Sequence, residues 1–460
     1  MENLEYKNKN AWFKLQKPEV MDFAEGYKEF ISKNKTEREV VNFAKGEAEK
    51  AGFKNLFSDD YSGEDFFAVN DLKSILIFKN GKADITQGIN IIVAHIDSPR
   101  IDIKQNPLYE KFDVALLKTH YYGGIKKYQW ATVPLAIHGV VVLKNGEKVE
   151  LSLGETPEDP VFVISDLLPH LGRKQMEKPA REVIEGEALD PIVGSIPEKE
   201  KDDKESVKRA VLEILHQQYG MVEEDFISAE ITLVPAGVAR DVGFDRGAIL
   251  SYGHDDKICA YAAFRGLLDT NIPEKPALVM LMDKEEIGSE GTTGSQSDFL
   301  EYALEKYMKA IGVSGVSVRE VLHKSFALSA DVNAAMDPLY PDVFEEQNAA
   351  KFGHGIVVTK FTGSGGKYSS SDASAELVYA IRKLFNDNDV PWQIGELGKV
   401  DIGGGGTIAK FLAKRGIETI DAGPALLSMH APHEIASKAD LYASYDAYKV
   451  FLSKKIKLII

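Results

Sequence analysis

Residues 91–99, IIVAHIDSP, carry an apolar run into a histidine and place an aspartate two positions later. The run from Ile89 to Ala94 has the length and composition of a fully buried strand that ends at His95. Other apolar runs end in the same way: Asp255 and Asp256 stand in YGHDDK, Glu285 and Glu286 in VMLMDKEEIGSEG, Asp331 in FALSADVN and His430 in ALLSMHAPHE. Strands of an α/β sheet end like this, and open α/β sheets place their ligand sites just beyond the carboxyl ends of their strands. Convergence of these ends predicts a cage of carboxylates and imidazoles. Oxygen and nitrogen donors of this mixture suit Zn²⁺ or a similar transition metal, in greater number than one ion needs, which points to a two-metal hydrolase.

The chemistry follows from the residue types. Residues i and i+2 of an extended segment point the same way, so Asp97 is placed to hold the far nitrogen of His95 and fix which nitrogen meets a metal. Adjacent carboxylates at Glu285 and Glu286 repel one another and are an odd choice for an empty site. One can ligate while the other serves as base, the division that amide hydrolysis at a metal requires. Each motif also has an ordinary explanation. His-x-Asp arises by chance, and Asp255-Asp256, ahead of the helical KICAYAAFRGLL, would serve equally as a helix cap. Their joint occurrence at strand ends carries the reading.

Length and composition bound the rest. A chain of 460 residues exceeds what one core usually supports, so two domains are expected. Its 44% hydrophobic and 27% charged residues describe a globular protein. The formal net charge of −16 argues against nucleic acid as a partner, since that needs clustered Lys and Arg. Cys259 is the single cysteine, which excludes an internal disulfide and fits a reducing compartment; as a residue it reads as small, apolar and buried on a helix. The opening MENLEYKNKNAWF is too polar for a secretory signal and no stretch is long enough to span a membrane, so a cytoplasmic protein without membrane contact is expected.

Along the chain, Thr36-x-x-Glu39 is a capping box that opens a helix reaching Gly52, with Val40, Val41, Phe43 and Ala44 on one face. Asn80-Gly81 predicts a hairpin between residues 74–79 and 82–87. From about residue 100 to 238 the texture turns β-rich, with VPLAIHGVVVL, KVELSLG, PVFVISDL and FISAEITLVPAG as strands and Asn145-Gly146 as a second hairpin signal. Within it SIPEKEKDDKESVKR reads as a solvated loop and helix start, followed by Val207, Val211, Ile214 and Leu215 at helical spacing. After Pro235-Ala236-Gly237 strand and helix alternate again, with Leu377, Ala380, Ile381 and Leu384 on one helical face. The expected fold is α/β: catalytic residues 1–99 and 239–460 interrupted by a β-rich insert, 100–238. FTGSGGKYSSSDASAEL holds Lys367, a candidate for a substrate carboxylate, and Ser371 or Asp372 as a helix N-cap. The glycines of DIGGGGTI lack the context of a P-loop or dinucleotide fingerprint, and predict close backbone approach to a substrate or a flexible loop.

VAHIDSPR, MDKEEIGSEG, LSADVNAAMDPLYP and GGGGTIAKFLAKRGIETIDAGPALLSMHAPHEI resemble the aspartyl aminopeptidase family, zinc aminopeptidases that include the vacuolar aminopeptidase I type. The resemblance spans nearly the whole chain. It implies two divalent ions, Zn²⁺ first and Co²⁺ or Mn²⁺ as alternatives, bridged by Asp255, with His95 and Asp331 on one, Glu286 and His430 on the other, Glu285 as general base and Asp97 supporting His95. It implies a mixed-sheet metallo-exopeptidase domain, a phosphorylase/hydrolase-like three-layer sandwich, and an inserted dimerisation domain through which a homododecamer assembles. His170, in VISDLLPHLGR, matches an insert histidine that reaches a neighbouring subunit's site. His120, His138, His254 and His433 default to structural or solvent-facing roles. Asp255-Asp256-Lys257 stands where many aspartyl aminopeptidases have Asp-Asn, and the glycine run is richer than their Gly-Thr-Thr-Ile-Gly; both leave the preference for an N-terminal Asp or Glu open.

Peptides with a free N-terminus are thus the expected substrates. A carboxypeptidase or amide deacylase on the same metal core is the alternative enzyme, and a non-catalytic self-assembling scaffold or binding protein is the alternative of another class.

Overall fold

The computed structural model describes residues 4–198 and 204–459, so residues 199–203 of the charged run lie outside the described residues. Two compact units are present. The first runs to Asp97 and resumes with Ala239–Met429 and the chain from Glu434; the second takes Ser98–Val238 and His430–His433.

The first unit is organised by a nine-stranded mixed sheet. At its middle Ala277–Met282, Asn90–His95, Phe326–Ser329 and Glu418–Gly423 lie side by side and parallel. Ser74–Lys79 joins antiparallel beside Ala277–Met282, and Ile356–Thr359 beside Glu418–Gly423. Successive strand residues face opposite ways. Ile92, Ala94, Val279 and Leu281 therefore enter one core cluster, with helices Lys17–Lys33, Glu37–Lys50, His254–Leu268 and Lys438–Ser453. Ile91, Val93, Leu278 and Met280 enter the other, with Phe299–Ala310 and Val318–Leu322. Burial on both faces is why these strands read as unbroken apolar runs. A five-stranded sheet, from Arg240–Val242 to Asn333–Ala334, includes Ala248–Ser251, Glu434–Ser437 and Ala425–Leu427. Thr36 and Glu39 form the reciprocal capping box: Thr36 N donates to Glu39 Oε2 at 2.8 Å and Glu39 N to Thr36 Oγ1 at 3.4 Å.

The second unit holds a six-stranded antiparallel sheet. Asn145-Gly146 makes the expected turn between Leu135–Val142 and Lys148–Leu153, with Gly146 at φ 84°. The longest strand, Arg100–Lys111, pairs with Val114–Tyr122. Their turn uses Phe112 and Asp113 at φ 55° and 59°, residues that give no turn signal in sequence. PVFVISDL contributes only isolated bridges at Phe162 and Val163. Helix Ser206–Tyr219 forms, yet of its apolar stripe only Val207 is buried, and Ile214 is 51% exposed.

Two expectations are corrected. Residues 82–87 do not pair with 74–79, because both edges of Ser74–Lys79 are already taken, by Phe66–Asn70 and Ala277–Met282. Asn80 instead donates from Nδ2 to Asp65 Oδ1 at 3.0 Å and Gly63 O at 3.2 Å, and Lys82 N bonds Pro273 O at 2.9 Å. The N-cap of helix Ala375–Asp387 is Ser374, which accepts from Leu377 N at 3.2 Å; Ser371 and Asp372 lie ahead of it.

The two Asn-Gly pairs therefore use glycine differently. A Cβ on Gly81 would stand 2.3 Å from the Lys275 carbonyl carbon, whereas one on Gly146 meets nothing within 4 Å. Gly81→Ala is expected to cost about 2–3 kcal/mol through displaced backbone, and Gly146→Ala about 1 kcal/mol through its left-handed conformation alone. Urea denaturation of the two variants checks the order.

Candidate metal centre

His95 is the last residue of Asn90–His95 and stands opposite Met282 of the neighbouring parallel strand. The ladder continues past both ends, with Ile96 N donating to Met282 O and Ala330 N to Val93 O, each at 2.8 Å. Three adjacent carboxyl ends thus deliver His95 and Asp97, Glu285 and Glu286, and Asp331. The expectation that every donor comes from an end of one sheet is not met. Asp255 and Asp256 follow Ala248–Ser251 of the five-stranded sheet and begin helix His254–Leu268, and His430 follows Ala425–Leu427 of that same sheet. Asp255 and Asp256 have non-helical dihedrals, with ψ of 108° and 23°, and Gly253 occupies the N-cap.

The imidazole of His95 is buried between carboxylates. Its Nε2 lies 3.0 Å from Asp255 Oδ1. Its Nδ1 lies 3.0 Å from the main-chain oxygen of Asp97 and 3.3 Å from Asp97 Oδ1. A carbonyl only accepts, so Nδ1 carries a proton and Nε2 is the nitrogen available to a metal. The Asp97 side chain has a second task that spacing did not reveal: Oδ1 accepts from Glu285 N at 3.1 Å and Oδ2 from Glu286 N at 3.2 Å. One aspartate therefore orients the histidine, largely through its backbone, and fixes the turn Glu285–Ile287 that carries both glutamates.

Donor atoms of His95, Asp256 and Asp331 lie within 4.8 Å of one another, as do those of His95, Asp255 and Glu286. Asp256 accepts from His95 N at 3.2 Å through Oδ2, while its buried Oδ1 has no hydrogen-bond partner among the described residues. Burial holds the Asp256 carboxyl well above the usual carboxylate range. Asp331 is raised likewise, by burial first and then by the charges of Asp256 and Glu285. For His95 burial pulls downward, but Asp255 and Asp97 raise its pKa well above the ordinary value. So many acids around one imidazole hold protons where cations would balance them, and the donor set fits divalent metal.

Asp256 belongs to the legible Asp-Asp pair, although sequence reasoning carried only Asp255 into the ligand set. Glu434 was missed altogether: buried on Glu434–Ser437, its Oε2 accepts from Asp255 N at 3.0 Å. His254 is structural, with Tyr27 Oη 2.7 Å from Nδ1 and Ile249 O 3.1 Å from Nε2, and burial lowers its pKa to about 3. His138 is buried, 2.8 Å from Glu155, and His120 is exposed. Cys259 is buried in helix His254–Leu268.

His430 lies in the short segment that packs with the second unit, where its Nδ1 donates to Gly124 O at 3.0 Å. Its Nε2 is then the nitrogen available to a metal, as at His95. His170 is an exposed turn residue, next to Leu171 at 70% exposure. Lys367 pairs with Asp372 at 3.1 Å and lies 3.8 Å over the Phe361 ring. Among the described residues no helix is long and apolar enough to cross a membrane.

A buried carboxylate and imidazole cluster at parallel strand ends defines a metal-dependent hydrolase, and comparison with known proteins agrees. Residues 30–452 match the aminopeptidase I zinc metalloprotease family, M18. A probable M18 family aminopeptidase 1 of Borrelia garinii is 50% identical over 97% of this chain and 99% of its own. The crystal structure of an M18 aminopeptidase from Thermotoga maritima, 48% identical, superposes with a TM-score of 0.95 over 98% of this chain and 100% of that one. At 23% identity the mApe1 dodecamer of S. cerevisiae shares the fold, with a TM-score of 0.75 over 94% of this chain and 97% of that one. The chain belongs to the M18 family, and it is an enzyme, a metallo-aminopeptidase.

Asp97→Ala should weaken zinc binding by about 10–100-fold, the usual cost of losing a group that orients ligands. Chelator competition followed by zinc fluorescence reads it directly. Unchanged affinity would leave the Asp97 carboxylate a purely structural role.

Proposed function

We propose that the chain is a dinuclear zinc aminopeptidase with Glu285 as general base. Asp255 would bridge the ions, His95 and Asp331 would hold one, and Glu286 and His430 the other. The observation that carries this reading is the pair of donor groups sharing His95, one with Asp255 and Glu286 and one with Asp256 and Asp331, more donors than a single ion needs. Asp256 enters as a further candidate ligand or as an anchor of the His95 backbone. Bound zinc would acidify water and polarise the scissile carbonyl. Glu285, half-buried with its amide held by Asp97, accepts the proton of the attacking water and passes it to the leaving amine. Family membership favours a free N-terminus over the carboxypeptidase and deacylase alternatives, and Co²⁺ or Mn²⁺ would suit the oxygen-rich donors as substitutes. An N-terminal Asp or Glu is the class of substrate to test first.

We also place self-association in the second unit. Its exposed apolar residues, among them Phe112 at 88%, Leu171 at 70% and Ile214 at 51%, are available to such an interface. The mApe1 dodecamer supplies the precedent for a twelve-subunit assembly.

Glu285→Gln should abolish turnover of free-amine peptides while retaining full metal content, and Glu286→Gln should lose metal as well. Turnover and metal analysis on the same preparations decide the assignment, and near-parental turnover in Glu285→Gln would falsify it.

His170 is proposed to act in trans, stabilising charge at a neighbour's developing oxyanion, where loss of one donor costs about 10²–10³ in kcat. Its exposure on a turn beside Leu171 suits such a reach. Mixing inactive His170→Phe and Glu285→Gln chains under conditions of subunit exchange should restore activity. No recovery, with exchange demonstrated by mass labels, would confine His170 to its own subunit.

A further inference from the structure

The first unit has a cavity of about 680 Å³ beside the glutamate turn. Gly288, which closes Glu285–Ile287, and Glu290 form one wall. Lys410 and Lys414 form another, and Ser369–Ser371 a third. The wall with the lysines is fixed by Arg415, which donates from Nη1 to Ser295 O in the loop after the turn at 2.9 Å and from Nε to Glu301 Oε1 of helix Phe299–Ala310 at 2.6 Å. Neither lysine has a carboxylate at ion-pair distance among the described residues, in a chain whose net charge is −16. Glu290, which lines the same cavity, accepts from Gln296 Nε2 at 3.4 Å. The glycine run makes room for the charge: a Cβ on Gly406 would stand 3.1 Å from Lys410 Nζ. Both ammonium groups lie over the Phe411 ring, 4.8 Å and 5.4 Å from its centre, and have no carboxylate partner among the described residues; with the serine hydroxyls, and Gly288 next to the turn that carries Glu285, they are the elements of a carboxylate subsite.

We infer that Lys410 and Lys414 bind a carboxylate of the peptide substrate in this cavity. The inference rests on the aminopeptidase reading of the Glu285 site. A peptide supplies carboxylates from two sources, an acidic N-terminal side chain and the free C-terminus of a short substrate, and both present the same group to the lysines.

The test uses the zinc-loaded full chain and two matched peptide pairs: N-terminal Glu against Gln, and free C-terminal acid against amide. The ratio of kcat/KM for the charged over the neutral member should fall about tenfold in the Lys410→Ala, Lys414→Ala double variant, the size of one lost charged hydrogen bond. The fall should appear in KM, in one pair only, which identifies the source, and Lys410→Arg with Lys414→Arg should restore the ratio. Ratios unchanged in both pairs overturn the subsite, and so does an equal loss on all four peptides. Failure of the underlying reading looks different: Glu285→Gln would then keep its turnover, while the charge ratios of the parent and the lysine variants would still be measurable.

Discussion

The hydrogen-bonded register of Ala277–Met282, Asn90–His95 and Phe326–Ser329 is the constraint on which the site depends. Met282 stands opposite His95, and Ser329 opposite Val93, so the residues just beyond each strand arrive level with one another. A slip of one residue would turn every side chain of a strand to the other face. Here that would exchange Ile91 and Val93 with Ile92 and Ala94 between two separate cores, so apolar packing on both faces enforces the register. Asp97 then converts strand register into side-chain geometry, because its carboxylate accepts the amides of Glu285 and Glu286 while its backbone holds His95. Strand pairing sets position to within a residue, and this aspartate sets it to within a hydrogen bond.

The same arrangement is electrostatically costly. Asp255, Asp256 and Asp331 face one imidazole where water is scarce, and uncompensated charge there is expensive. Folding without metal is relieved by protons retained on Asp256, Asp331 and His95, the direction in which all of them shift. Metal uptake would replace those protons, tying the stability of the centre to ion occupancy. Rigid surroundings make this tolerable, since helices His254–Leu268 and Lys438–Ser453 pack over strands that are buried to the backbone.

The site was more legible than its route of assembly. Runs ending in acids or histidines identify the Asn90–His95, Ala277–Met282 and Phe326–Ser329 strands because strands buried on both faces leave long apolar signatures. The same signature cannot say which sheet a run belongs to, which is why Asp255 and His430 were placed at ends of the wrong one. Asn-Gly at 80–81 and at 145–146 look alike in sequence; the first is redirected by Lys275 and by strand edges already occupied, facts set by residues almost 200 positions away. Glu434 was invisible for a related reason, since its partner is the amide of Asp255 and a backbone partner leaves no residue pattern. The turn at Phe112-Asp113 shows the converse, a hairpin imposed by eight paired positions between its strands without turn chemistry.

The separation of roles proposed for the adjacent glutamates would have its origin in the backbone. Glu285–Ile287 is a single 3₁₀ turn, bracketed by Lys284 and Gly288 at φ 71° and 101°. With three residues per turn, successive side chains diverge by about 120°, so two neighbours cannot both face the same ion. Glu286 joins His95 and Asp255 in a donor group, while Glu285 is near enough to Asp331 to raise its pKa without belonging to either group. A strand would give a different answer, since strand neighbours face opposite sides of the sheet. The tight turn keeps both carboxylates near the centre, with only Glu286 in a donor group, which suits the ligand and base roles proposed for them.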